Sequence, residues 1–132
     1  DAAMLDVAAA VAHVNDTGPV AVVGYCFGGS VAWSAACDLS SAAAGGYYGG
    51  QVFGMHDRTP VAPTMLHFGE LDAGIPLDQV HAIADAHPDV PVHVYEGADH
   101  GFNCDARATY HARSSAIALG RTLEFLTDNG VV

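Results

Sequence analysis

Over the first fourteen positions the apolar residues Met4, Leu5, Val7, Ala8, Val11 and Val14 fall near one helical face. This predicts an Ala-rich amphipathic helix over 2–14. Asn15-Asp16-Thr17-Gly18-Pro19 ends it. The pattern then changes to a short β-branched run at 20–24, the mark of a strand buried in a parallel sheet. A Gly-rich turn leads into a helix over 29–37. Residues 42–48 make a weaker strand that stops at Gly49-Gly50. A buried strand is expected at 64–68 after Pro63, a helix at 77–86 and a fourth strand at 92–95. The last helix is expected over 107–127, with Ile117, Leu119, Leu123, Phe125 and Leu126 as its apolar stripe. The segment 49–63 is long and polar, with His56, Asp57, Arg58 and Pro60; it is expected to carry no strand and to overhang a site.

Strands alternating with helices imply a parallel sheet joined by right-handed crossovers. The expected fold class is therefore α/β, a three-layer sandwich around a mostly parallel sheet. At 132 residues the chain suits a single domain, 1–132. Its 51% apolar content supplies a real core. No apolar run approaches the roughly 20 residues that cross a bilayer, so a membrane span is excluded. The formal charge is −11, with no Lys and only Arg58, Arg107, Arg113 and Arg121 as strong bases. A surface this negative repels phosphate backbones, which excludes nucleic acid as a partner. Three cysteines, Cys26, Cys37 and Cys104, with no C-x-x-C pair, make neither a disulfide framework nor a zinc site. They point to a reducing, cytoplasmic compartment. No metal site is expected, because no His or carboxylate pair shows ligand spacing with a third partner.

The sharpest local signal is Gly24-Tyr25-Cys26-Phe27-Gly28-Gly29, at the end of a strand and the start of a helix. A nucleophile on so tight a turn has strained backbone angles. Bulky residues two positions either side would collide, a requirement that Gly24 and Gly28 meet. The helix N-terminus favours a thiolate at Cys26, and the backbone N–H of Phe27 is placed to donate to an oxyanion. A nucleophile of this kind needs a base, and the base needs an orienting acid. Asp72 follows the strand at 64–68, and His100 follows the strand at 92–95. Both therefore fall at the C-terminal edge of the sheet, where ligands of α/β folds bind. Cys26, Asp72 and His100 make up the expected catalytic set. His67 and His93 lie inside strands and are expected to be hydrogen-bonded in the packing. Asp99 is expected to form the turn before His100. Cys37 is expected in helix packing, and Cys104 in the loop near His100.

These stretches, with Gly46-Tyr47-Tyr48-Gly49, the segments 69–76 and 95–102, and Arg121-Thr122-Leu123-Glu124-Phe125-Leu126, resemble the dienelactone hydrolase (carboxymethylenebutenolidase) family, a branch of the α/β-hydrolase fold. The resemblance implies that Cys26 is the nucleophile, His100 the general base and acid, and Asp72 the residue that orients His100. It implies that Tyr47 lines the substrate pocket and that no metal or organic cofactor takes part. Family members open the lactone ring of dienelactones: the thiolate attacks the carbonyl, an enolate leaves, and water clears the thioester. The resemblance covers nearly the whole chain, yet the chain begins where roughly the second half of a family member begins. The expectation is a partial α/β-hydrolase fold lacking the N-terminal strands, with the second oxyanion donor and a substrate-holding Arg among the missing parts. A further family Arg, four positions after the His, is Cys104 here. A related ester therefore stands beside an anionic lactone as the expected small-molecule substrate. An open edge at the strand 20–24 is expected to pair with a second copy or a partner chain. Two rival readings are an inactive fragment or assembly domain, and a glutamine amidase. The latter class places a Glu two residues after the His, where this chain has Phe102.

Overall fold

The computed structural model describes residues 2–132. The elements are α1 (Ala2–Val14), β1 (Ala21–Tyr25), α2 (Phe27–Asp38), β2 (Ala43–Tyr47), β3 (Thr64–Gly69), α3 (Leu77–Ala86), β4 (Val92–Tyr95) and α4 (Ala112–Asp128). Short 3-10 turns occupy Asn15–Thr17 and Phe53–Met55. The four strands are all parallel and lie in the order β1-β2-β3-β4. Right-handed crossovers in unbroken order put α2 and α3 on one face of such a sheet. The side chains of α4 reach Tyr47 and His67 from the other face. The result is the three-layer, partial α/β architecture expected from the element order.

The main core lies between the sheet and the helices, where Trp33, Val52, Leu66, Phe68, Ile75, Val80, Ile83 and Phe102 are enclosed. Residues that pair across the strands carry four rings in one row: Tyr25, Tyr47, His67 and His93. Their ring centres lie 4.7, 4.3 and 5.5 Å apart in turn. No helix among the described residues is long and apolar enough to cross a membrane.

Four sequence expectations need correction. The β-branched run forms β1, but as a half-exposed edge strand; the weaker candidate, β2, is fully buried, as is β3. Ala44 and Gly46 are small because α2 presses on their side of β2: a Cβ at Gly46 would stand 3.0 Å from the Gly29 carbonyl oxygen, and Ala44 packs with Ala36. α2 begins at Phe27 rather than 29, and α4 begins at Ala112 rather than 107. There His111 caps α4, its side chain accepting the Ser114 N–H. The expected apolar stripe of α4 is largely exposed at Ile117, Leu119 and Leu123, and the buried face is Ser114, Ala118 and Thr122. A helix over a row of ring edges needs small and hydroxyl-bearing residues there. The segment 49–63 carries no strand, as expected, and is bonded to α2 and to the end of α3. Trp33 Nε1 donates to the Met55 carbonyl at 3.2 Å, and His87 Nε2 donates to that of His56 at 2.6 Å.

Candidate active site

Cys26 stands between the last residue of β1 and the first of α2, exposed, with φ 55° and ψ −118°. A left-handed φ on a side-chain-bearing residue costs of order 1–3 kcal/mol, and the surroundings must hold it. The Cys26 N–H donates to the Tyr47 carbonyl at 3.0 Å, and its own carbonyl accepts from Gly29 N–H at 2.9 Å. Gly24 is obligatory as expected, since a Cβ there would lie 1.9 Å from the Gly28 carbonyl oxygen. Gly28 is not the second tight position: a Cβ there meets nothing within 4 Å. That role belongs to Gly29, whose Cβ would lie 2.4 Å from the Tyr47 carbonyl oxygen. The backbone N–H of Phe27 opens α2 and has no hydrogen-bond partner among the described residues. It is free to donate to a ligand beside the sulfur.

Asp72 and His100 arrive on separate loops that meet at Gly69. A Cβ at Gly69 would stand 2.5 Å from the Ala98 carbonyl oxygen, so only glycine lets the two loops close. Leu71 N–H donates to that carbonyl at 2.8 Å, and Gly97 N–H to the Glu70 carboxylate at 2.9 Å. Asp72 is buried, 3% exposed; one carboxylate oxygen accepts Gly74 N–H at 2.9 Å and the other lies 2.6 Å from His100 Nδ1. A carboxylate only accepts, so Nδ1 carries the proton and Nε2 faces Cys26 Sγ, 3.3 Å away. Asp99 forms the turn as expected, its carboxylate taking the His100 N–H at 2.6 Å. The structure thus brings the three residues named from the sequence into one hydrogen-bonded line.

Beneath this line lies a buried polar cluster. Tyr47 is not at a pocket surface but in the core, 1% exposed. Its hydroxyl is 2.6 Å from Thr122 Oγ1, which also lies 3.1 Å from His67 Nε2. His67 Nδ1 is 2.8 Å from the Tyr95 hydroxyl. Thr122 donates its own hydrogen to the Ala118 carbonyl. It therefore accepts from Tyr47 and from His67 Nε2–H, and Tyr95 donates to Nδ1. Every group is satisfied with His67 neutral. Burial, with His93 and Arg121 nearby, pushes His67 down to about 3. His67 is thus a packing residue, as its place inside a strand implied. Burial likewise pushes the Tyr47 and Tyr48 hydroxyls up to about 12. The residue the sequence reading passed over is Tyr48. Its ring lies 5.2 Å from the His100 ring, and its φ of 39° is left-handed. The Tyr-Tyr pair between glycines was the available signal. Among the described residues no group of three His, Cys, Asp or Glu side chains is placed to hold a metal ion.

Comparison with known proteins gives a consistent result. The sequence profile of the dienelactone hydrolase family matches residues 1–129. A carboxymethylenebutenolidase from Pseudomonas putida is 32% identical over 96% of this chain and 57% of its own length. A crystal structure of a candidate dienelactone hydrolase from Klebsiella pneumoniae is 26% identical with a TM-score of 0.82, over 94% of this chain and 60% of that one. An α/β serine hydrolase homologue from Coxiella burnetii, 20% identical with a TM-score of 0.66 over 91% of this chain and 54% of that one, shares the fold. The chain spans about half the length of the curated relatives it matches.

Proposed function

The chain belongs to the dienelactone hydrolase family, and from that premise we propose that it belongs to a hydrolase that opens a lactone or activated ester through a thioester on Cys26. Residues 1–132 form one domain in this reading. The observation that carries it is the hydrogen-bonded line from Cys26 Sγ through His100 to Asp72, with Nε2 at 3.3 Å from the sulfur and Nδ1 at 2.6 Å from the carboxylate.

His100 Nε2 takes the proton of the Cys26 thiol, and the sulfur adds to the substrate carbonyl carbon. The carbonyl electrons move onto oxygen, where the free Phe27 N–H donates to them. They return as the bond to the leaving oxygen breaks, and His100 gives its proton to that oxygen, which leaves Nε2 free to accept again. Water then loses a proton to Nε2 and attacks the thioester, and the thiolate leaves. Asp72 holds the Nδ1 proton throughout and offsets the charge on the imidazolium. A thiolate suits an enolate or aryloxide leaving group, which favours a lactone of an enol or an activated ester over an alkyl ester. No metal or cofactor enters these steps. Free Cys26, Cys37 and Cys104 support a reducing, cytoplasmic setting.

Alkylation by iodoacetamide tests the reading. At neutral pH Cys26 reacts well before Cys37 and Cys104, and H100Q slows Cys26 by about tenfold or more, as loss of a general base does. Equal labelling of the three thiols, or a Cys26 rate indifferent to H100Q, would overturn it. A second reading, that the chain is an assembly domain, draws on the outer edge of β1. That edge has no strand neighbour among the described residues, and Val23 and Tyr25 are exposed on it.

A further inference from the structure

Tyr48 is the most constrained residue around the site. Its φ of 39° is adopted without the freedom of glycine. Its N–H is fixed to the His67 carbonyl at 2.7 Å. The next residue, Gly49, is pressed onto the start of α2, where a Cβ would stand 2.8 Å from Ser30 N. The ring is closed in by His100 at 5.2 Å, Phe102 at 5.4 Å, Tyr47 at 6.2 Å and Tyr25 at 6.4 Å. Only 4% of the residue is exposed.

Its hydroxyl is treated differently from those of its buried neighbours. The Tyr47 hydroxyl meets Thr122 and the Tyr95 hydroxyl meets His67, but that of Tyr48 has no hydrogen-bond partner among the described residues. Nor is it sealed in, since among the described residues the enclosed side-chain oxygen without a partner is Ser41 Oγ. The small exposed part of Tyr48 therefore includes its oxygen. The ionisable groups whose charges bear on that oxygen are Tyr25, Cys104, Cys26 and Arg107. Burial keeps the phenol protonated at neutral pH, so it offers an O–H. An ordered donor with no partner, on a ring 5.2 Å from that of His100, is what a ligand oxygen would complete.

We propose that the Tyr48 hydroxyl donates a hydrogen bond to an oxygen of the substrate as Cys26 attacks, while its ring holds His100 in place. The inference rests on the reading of Cys26 as nucleophile. Two roles are therefore separable, one in the oxygen and one in the ring.

The experiment compares the full chain with Y48F, which keeps the ring, and with Y48L, which removes it. Two rates at Cys26 are followed by mass spectrometry: acylation by p-nitrophenyl acetate, and alkylation by iodoacetamide, whose reacting carbon bears no oxygen. Y48F should slow acylation ~10- to 100-fold, in the range of a lost transition-state donor. Its alkylation rate and the pH profile of alkylation should match wild type, and its melting curve reports that the fold is kept. Y48L should lower both rates, because His100 loses its support. Acylation of Y48F at the wild-type rate would overturn the inference. So would equal falls in acylation and alkylation, which would place the hydroxyl's effect in the thiol. Failure of the wild-type chain to acylate at all, with H100Q leaving alkylation unchanged, would remove the Cys26 reading and this inference with it.

Discussion

Three glycines around Cys26 look alike in the sequence and differ in what surrounds them. Gly24 and Gly29 each sit where a Cβ would run into a backbone carbonyl oxygen, at 1.9 and 2.4 Å. Backbone cannot step aside as a side chain can, so G24A and G29A must separate α2 from the sheet. Gly28 opens onto empty space, and alanine is the better helix former by about 1 kcal/mol. Urea unfolding should therefore show G28A at or slightly above wild-type stability. G24A and G29A should lose several kcal/mol, in the range of overpacked cores, ~1–3 kcal/mol or more. A G29A chain as stable as G28A would mean that α2 is not held against β2 as described. The elbow was legible at Cys26 because its neighbours obey a local rule. The distinction between Gly28 and Gly29 was not, because it depends on where β2 lies, and that is set by residues about twenty positions on.

At the level of the elements, local pattern identified each strand and helix but misjudged which surfaces meet. β1 is rich in β-branched residues and reads as buried, yet it is an edge; β2 is poor in them and is enclosed throughout, as is β3. The small Ala44 and Gly46 of β2 are explained by the approach of α2, which no property of β2 alone announces. α4 shows the same effect. Ile117, Leu119 and Leu123 are exposed on it, while Ser114, Ala118 and Thr122 are buried, and Thr122 bonds to two rings of the row on the sheet. Thr122 ties α4 to β2 and β3 through Tyr47 and His67, and this contact makes stability depend on pH. The folded chain holds His67 at about 3, below its ordinary 6.5. Its contribution is complete above pH 6.5 and is lost as pH falls toward 3, because the unfolded chain takes up the proton first. Between pH 7 and pH 5 this amounts to about 2 kcal/mol for one such group. Comparison of wild type with H67F by urea unfolding isolates it from the fifteen acidic residues. The variant should be less sensitive to acid by about that amount. Parallel pH profiles for the two chains would show that His67 is not held neutral in the fold.

For the whole molecule, the line from Cys26 through His100 to Asp72 and the open edge share the strand β1. The line depends on the C-terminal ends of β1, β3 and β4, and β1 carries Cys26 while standing at the edge. An apolar groove of about 320 Å³ runs between β1 and α1, lined by Val7, Val11, Val14, Val20 and Val22 among others. Leu5, Val23, Tyr25 and Phe27 add further exposed apolar surface. Unpaired backbone along such a strand is a template for another strand, and pairing would also stiffen the turn that holds Cys26. The chain on its own should therefore associate, scattering light as a species heavier than its 13.6 kDa. A charge on the exposed edge discourages strand addition, so V23K should shift the population toward monomer. If association also supports the elbow, the monomeric V23K chain should alkylate Cys26 more slowly than the assembled wild type, with Cys104 unchanged. A wild-type chain that is monomeric at all concentrations and melts cooperatively would show that this edge is stable in water. The position of Cys26 would then owe nothing to a neighbouring strand, and the Tyr47 carbonyl, Gly24 and Gly29 would suffice to hold it.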